Sequence, residues 1–176
     1  MNEPRAPVEA DLVERFEELN RIGVALSSER DLNRLLETIL VAAKNITRAD
    51  GGTLYRLTED KTLRFEIVRT SSLKYYLGGT TGHPIPFYPI QLYKDGQPNH
   101  GMVAAYSALT GKTVNIADAY SAEGFDFSGT RAFDQKTGYR SKSFLTVPMR
   151  NYERQIIGVL QLINAVDPDS GEIVPF

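Results

Sequence analysis

The chain has 176 residues, of which 41% are hydrophobic and 24% charged, and this composition is typical of one globular domain with an appended element. Its 20 basic and 22 acidic residues nearly cancel, so no basic excess favours binding to nucleic acid by counterion release. The absence of cysteine excludes disulfides, thiol nucleophiles and cysteine-ligated metal centres.

Targeting and metal-binding signals are also weak. No apolar run approaches the roughly 18 residues of a membrane-spanning helix, and the acidic N-terminus MNEPRAPVEADL does not resemble a signal peptide. The two histidines, His83 and His100, lack a metal-ligand spacing and are expected to be surface loop residues. We therefore expect a cytoplasmic protein that binds neither membrane nor nucleic acid and needs no cofactor.

The first element predicted is an amphipathic helix within residues 1–29. Its apolar residues recur at spacings of three and four, as on one face of a helix. They are Leu12, Phe16, Leu19, Ile22 and Leu26. This stripe packs either on its own domain or on the same helix of a second chain. We favour the second arrangement, a homodimer, because the stripe precedes a sequence that already supplies a complete domain.

A second helix is predicted at residues 32–47, after a break whose Ser and Asp residues are good N-caps. Asp50-Gly51-Gly52 is predicted to end this helix with a turn. Strands at 53–57 and 61–70 then form a hairpin, because the second of them alternates apolar and polar residues.

The rest of the chain alternates between irregular segments and short elements. Residues 71–100 are interrupted repeatedly by Gly and Pro and are predicted to form a long loop. A short helix at 101–109, a strand at 113–116, a second irregular segment at 118–131 and a hairpin of strands 143–150 and 156–164 follow. This order predicts an α+β fold, with an antiparallel sheet of about six strands and helices on one face.

One stretch of the sequence resembles a known family. Thr137-Gly138-Tyr139-Arg140 follows the acidic Asp134 and precedes a strand that contains Pro148 and a strand that contains Ile157-Gly158-Val159. This order resembles GAF domains, of the type found in cyclic-nucleotide phosphodiesterases, bacterial nucleotide cyclases and HD-GYP signalling proteins. The resemblance spans about residues 30–165.

The resemblance implies a domain organisation and a function. Residues 30–170 would form the GAF sensory domain, and residues 171–176 would lead towards an output domain such as a phosphohydrolase, cyclase or kinase. The domain would not be an enzyme. It would bind a small ligand, such as a cyclic nucleotide, and relay binding through its flanking helices. The alternative is a GAF module that dimerises without a ligand.

The same resemblance implies a ligand site between the sheet and residues 103–104 and 118–141. Asp134, Thr137 and Ser141 match positions that contact the nucleotide in relatives, and Gln161 matches a position that reads the base. Val103 and Ala104 would present backbone groups at the start of the middle helix.

Each candidate also has a structural interpretation. Asp134 and Thr137 are suited to capping and turns, and Ser141 stands at a strand entrance. Gln161 interrupts an apolar strand and needs a partner from the protein or from a ligand. The aromatic residues between 120 and 133 would stack on a base or cover a loop. Thr130, Gln161 and Ala165 depart from residues common in relatives, which favours a retained pocket with an altered ligand.

Overall fold

A computed structural model describes residue 17 and residues 19–176. The described helices are α1 (residues 19–28), α2 (Leu32–Thr47), α3 (Val103–Thr110) and α4 (Ser128–Thr137). The described strands are β1 (Ala49–Leu57), β2 (Thr62–Thr70), β3 (Tyr75–Gly78), β4 (Ile90–Gln91), β5 (Tyr93–Lys94), β6 (Gln97–Pro98), β7 (Val114–Ile116), β8 (Phe144–Arg150), β9 (Ile156–Val166) and β10 (Ile173–Val174). The predicted stripe residues Leu12 and Phe16 lie outside the described residues.

The main sheet has the strand order β3-β2-β1-β9-β8-β7, and neighbouring strands run antiparallel. β4 adds to β2, and β10 adds to β9. The predicted α+β class, antiparallel sheet and terminal hairpin of β8 and β9 are therefore confirmed, and among the described residues the sheet has six strands in this order and eight with β4 and β10.

Both faces of the sheet are covered, which corrects the expectation of helices on one face. Leu54 of β1 packs with Leu40 of α2, whereas the next residue, Tyr55, packs with Ala105 of α3 on the opposite face. Successive side chains of a strand point to opposite faces, so β1 contributes to two cores. Its near-continuous burial from Gly51 to Tyr55 reflects this central position.

The α2 helix has the predicted boundaries, but the turn predicted after it is wrong. The Asp31 side chain accepts a hydrogen bond of 2.9 Å from the Arg34 amide, and Arg48 ends the helix in a left-handed conformation with φ of 55°. β1 starts at once, and Gly52 lies inside it. A Cβ atom at Gly52 would lie 2.7 Å from Leu40 Cδ1, so the glycine permits close packing of α2 on the sheet.

Two segments predicted to be irregular contain regular structure. Residues 71–100 include β3, which pairs with β2 from Ile67 to Thr70, and three two-residue strands. Residues 118–131 include the start of α4, where the Asp126 side chain accepts from the Ser128 amide. Pairing with a neighbouring strand and capping by a side chain stabilise elements that local propensity alone does not favour. None of the helices in the described part of the chain is long and apolar enough to cross a membrane.

The core between α2 and the sheet generates a stability prediction. Leu40 is fully buried against β1 and β9. Leu40→Ala is expected to lower the free energy of unfolding by about 2–5 kcal/mol, because a cavity replaces the lost side chain. Its neighbour Val41 is 39% exposed, so Val41→Ala should change stability by no more than about 0.5 kcal/mol. Urea unfolding followed by circular dichroism measures both, and equal effects would contradict the assignment of the core.

Candidate functional site

A cavity of about 350 Å³ lies between the sheet and helices α3 and α4, on the face opposite α2. Its floor is formed by residues of β1 and β9, which are paired so that Thr53 lies beside Gln161. The first residues of α3 and α4 form one wall, and aromatic side chains form much of the remainder. A groove of about 600 Å³ between α1 and α2 is larger, but it is open and lined by side chains of mixed charge.

A polar group lies at the buried floor of the cavity. Gln161 Oε1 accepts a hydrogen bond of 3.2 Å from the Tyr55 hydroxyl, and Gln161 Nε2 donates one of 3.0 Å to Thr146 Oγ1. Burial raises the pKa of Tyr55, so its phenol stays neutral and can donate. The partner required by Gln161 is therefore provided by the protein. Each of the two amide atoms has a second hydrogen-bonding position, and Gln161 lines the cavity.

The N-termini of two helices face the same cavity. Val103 and Ala104 of α3 and Gly129 and Thr130 of α4 all line it. Within the described residues, the N-cap side chains of Met102 and Phe127 make no capping hydrogen bond, although Asp126 accepts from the Ser128 amide of α4. Amides of a first helical turn have no intrahelical acceptor, and the helix dipole adds partial positive charge there. This wall is therefore suited to an anionic group.

Aromatic rings form a continuous wall from the mouth of the cavity to its floor. The Phe87 ring lies 5.3 Å from that of Phe65, and the Phe65 ring lies 4.7 Å from that of Tyr55. Phe127 and Phe133 line the α4 side. Such a wall is suited to a planar ring system, because offset and edge contacts between aromatic rings are favourable.

The structure brings four of the six predicted site residues together. Val103, Ala104, Ser141 and Gln161 line the cavity, whereas Asp134 and Thr137 are not among its lining residues. A role of any of these six residues in ligand binding stays a prediction.

Asp134 and Thr137 have clear intramolecular roles. The Asp134 carboxylate accepts from the amide and hydroxyl of Ser141 at 2.8 and 2.7 Å and from the Tyr120 hydroxyl at 2.7 Å. The Thr137 hydroxyl donates to the Phe133 carbonyl at 2.8 Å. Asp134 therefore connects α4 to the segment that carries Ser141 into the cavity wall.

Among the cavity residues that were not selected from the sequence as ligand contacts are two hydrogen-bonded tyrosines. Tyr139 lines the cavity and donates a hydrogen bond of 2.6 Å to Asp50 Oδ2, and Tyr55 holds Gln161. Burial and the bond to Asp50 raise the pKa of Tyr139. A buried tyrosine usually needs a partner for its hydroxyl. Tyr55 and Thr53 are two residues apart in a strand, so their side chains point to the same face. This spacing was the signal in the sequence that could have placed Tyr55 at the cavity.

The electrostatics of the mouth are set partly by Asp126, which lines the cavity. Its carboxylate accepts from Ser128, and these hydrogen bonds lower the pKa of Asp126, so it is charged at neutral pH. His83 and His100 are exposed. Within residue 17 and residues 19–176, no three His, Cys, Asp or Glu side chains are grouped so that they could hold a metal ion.

Comparison with known proteins agrees with this architecture. A family model described as "GAF domain" matches residues 31–175. The chain belongs to the GAF domain family. GAF domains are generally regulatory and not catalytic.

The curated relatives of this GAF domain include cGMP-specific 3',5'-cyclic phosphodiesterases of Drosophila. The protein of Drosophila mojavensis is 33% identical over 165 residues, and the match covers 89% of this chain and 13% of the relative. The protein of Drosophila melanogaster is 32% identical, with the same coverage of both chains. The chain thus spans about an eighth of the length of these relatives.

Solved structures share the fold at low sequence identity. The GAF domain of an Acinetobacter phosphoenolpyruvate-protein phosphotransferase has a TM-score of 0.62 at 18% identity, covering 93% of this chain and 80% of that one. The free methionine-R-sulfoxide reductase of Neisseria meningitidis has a TM-score of 0.57 at 18% identity, covering 100% and 83%. At these identities the likeness concerns the fold alone.

The two buried tyrosines predict a loss of stability in alkali. The pKa values of Tyr55 and Tyr139 are raised in the folded protein above the value of 10.0 for a free side chain. Above about pH 10 the folded state therefore binds more protons than the unfolded state, and stability falls as pH rises. The urea midpoint should decrease between about pH 9 and pH 11, and less steeply in Tyr139→Phe. Tyr152→Phe is the control because Tyr152 is 92% exposed. An equal decrease of the urea midpoint with pH in the unaltered protein, in Tyr139→Phe and in Tyr152→Phe would refute this interpretation.

Proposed function

We propose that this GAF domain is a regulatory sensor that binds a purine cyclic nucleotide in the cavity between the sheet and helices α3 and α4. The observation that supports this proposal is the arrangement of two kinds of polar group in one cavity. Two helix N-termini line one wall, and the Gln161 amide lies at the floor. A cyclic nucleotide has an anionic phosphate for the first and a hydrogen-bonding base edge for the second.

The phosphate would lie against the first turns of α3 and α4. Backbone amides and helix dipoles bind phosphate without a formal positive charge. Ser141 adds a polar group to the cavity wall. Such a site is consistent with the near-neutral composition of the chain.

The base would lie against the aromatic wall, with its edge towards Gln161. A Gln amide can donate and accept at once, as a guanine edge requires. The curated relatives are named as cGMP-specific phosphodiesterases, and this favours cGMP over cAMP as the first ligand to test. Asp134 and Thr137 would act indirectly, since the Asp134 carboxylate and the Thr137 hydroxyl form hydrogen bonds within the protein.

The regulatory role would be completed by an output domain attached to this one, such as a phosphohydrolase, a cyclase or a kinase. The domain itself would act in the cytoplasm and would not catalyse a reaction. Its flanking helices would carry the response, because a ligand that binds one conformation more tightly shifts the population towards it.

A homodimer through the N-terminal region is the second part of the proposal, and a dimerisation module without a ligand is the alternative function. Several large apolar side chains of α1 and α2 are exposed, and contact with a second chain would remove them from water. They are Leu19 at 55%, Val24 at 69%, Leu32 at 56% and Ile46 at 51%.

The ligand proposal predicts stabilisation by cGMP. At about 100 times its dissociation constant, cGMP should stabilise the fold by about 2.7 kcal/mol. Asp126→Asn should lower the dissociation constant for cGMP by about three- to tenfold, because a negative charge beside the phosphate is removed. Guanosine, which has no phosphate, should bind the two proteins equally. Asp169→Asn, in the exposed turn before β10, is the matched control.

Calorimetric titration and thermal unfolding measure these effects with cGMP, cAMP and guanosine. Absence of binding by every nucleotide to the unaltered protein would leave the ligand-free dimerisation module as the function. Binding that is unchanged by Thr130→Trp, which places a large ring at the cavity wall, would assign the nucleotide to another site.

The dimer proposal predicts that one charged substitution in α1 converts a dimer into a monomer. Light scattering of the unaltered chain at high micromolar concentration should report a dimer, and Leu19→Asp should give a folded monomer. Asn20→Asp introduces the same charge at the neighbouring exposed position of α1 and should leave the dimer intact. A monomer for the unaltered chain would refute the proposal.

A further inference from the structure

The segment between β3 and β4 reaches the cavity through its last residues. We call residues 79–89 the strap. Phe87 and Tyr88 of the strap line the cavity, and Phe87 packs on Phe65. Three prolines restrict its backbone: Pro84, Pro86 and Pro89. The strap is therefore stiff in its second half, and its conformation depends on how its first residues are held.

Those first residues are held by backbone hydrogen bonds, such as the bond of 3.0 Å from the Gly79 amide to the Glu66 carbonyl of β2, and also from the opposite face of the sheet. The Glu37 carboxylate of α2 accepts a hydrogen bond of 3.1 Å from the Thr80 amide and a second bond from the Thr80 hydroxyl. A Cβ atom at Gly79, whose φ is +57°, would lie 3.2 Å from Glu37 Oε2. A glycine at this position therefore allows both the left-handed turn and the approach of the carboxylate.

The same carboxylate also pairs with β2. Glu37 Oε1 accepts from Arg69 Nη2, and the two side chains are only 20% and 16% exposed. The Arg69 guanidinium lies 5.4 Å from the ring of Tyr76, and its Nε atom is buried without a hydrogen-bond partner among the described residues. Arg69 thus depends on Glu37 for charge compensation, and this keeps the carboxylate in place.

We propose that Glu37 is a positioning residue that fastens the strap over the cavity and couples the state of the cavity mouth to α2. One carboxylate joins α2, β2 and the strap, although α2 and the cavity lie on opposite faces of the sheet. Opening of the strap breaks the Thr80 bonds and leaves Glu37 with Arg69 alone. The coupling rests on the proposed function only for the identity of the ligand.

The test without ligand measures amide hydrogen exchange in Thr80→Val and Glu37→Gln. Thr80→Val removes the hydroxyl donor and leaves the Glu37–Arg69 pair intact, so the fold should be retained. Exchange of residues 79–83 should accelerate by about tenfold in both variants, because a hydrogen bond to a charged group is lost or weakened. Asn45→Ala is the control on the same helix, at an exposed position.

The result that overturns the proposal is unchanged exchange of the strap in Thr80→Val. Faster exchange throughout the chain in Glu37→Gln, with no local effect in Thr80→Val, also overturns it, since Glu37 would then act only on the stability of the whole fold.

A second arm uses cGMP as the probe. In the unaltered protein cGMP should slow exchange of the strap and of α2 together, whereas in Thr80→Val the protection of α2 should be lost while that of the cavity floor remains. The coupling is refuted if cGMP protects α2 in Thr80→Val as strongly as in the unaltered protein. Absence of cGMP binding refutes the proposed ligand and leaves the ligand-free comparison as the test of the Glu37 contact.

Discussion

The burial of the central strand on both faces is the constraint on which the rest of this structure depends. Leu54 contributes to the core beneath α2, and its neighbour Tyr55 contributes to the core beneath α3. Any shift of β1 by one residue would exchange the two sets of side chains between the two cores. The register with β9, in which Thr53 lies beside Gln161, is therefore fixed by packing, and the polar floor of the cavity is fixed with it.

A second constraint acts where the chain enters β8. Asn164, which is fully buried, accepts from the amides of Lys142 and Ser143 and donates to the carbonyl of Arg140. Asp134 accepts from Ser141 within the same segment. Buried side chains thus satisfy the backbone of a segment that belongs to no helix or strand, as a buried loop requires. These hydrogen bonds hold the irregular segment, which places Tyr139 and Ser141 in the cavity wall.

The sequence was most informative where the pattern is local. The helix of residues 32–47 has an N-cap and an apolar stripe within its own segment, and both boundaries were predicted. The glycines at 51 and 52 were misread as a turn, because close packing against Leu40 depends on a residue distant in the chain. β3 and α4 were missed for the same reason. β3 is defined by pairing with β2, and α4 starts with residues of weak helix propensity. Among the six candidate site residues, four line one cavity, and whether a side chain faces that cavity or the protein was decided by tertiary contacts.

The alternation of side chains along the sheet separates two compartments that are one residue apart in sequence. Substitutions at cavity-facing positions change the volume and polarity available to a ligand, while their neighbours on the other face keep the packing of α2 intact. A domain built in this way can change the volume and polarity of its cavity through a few substitutions on one face while the core beneath α2 is kept.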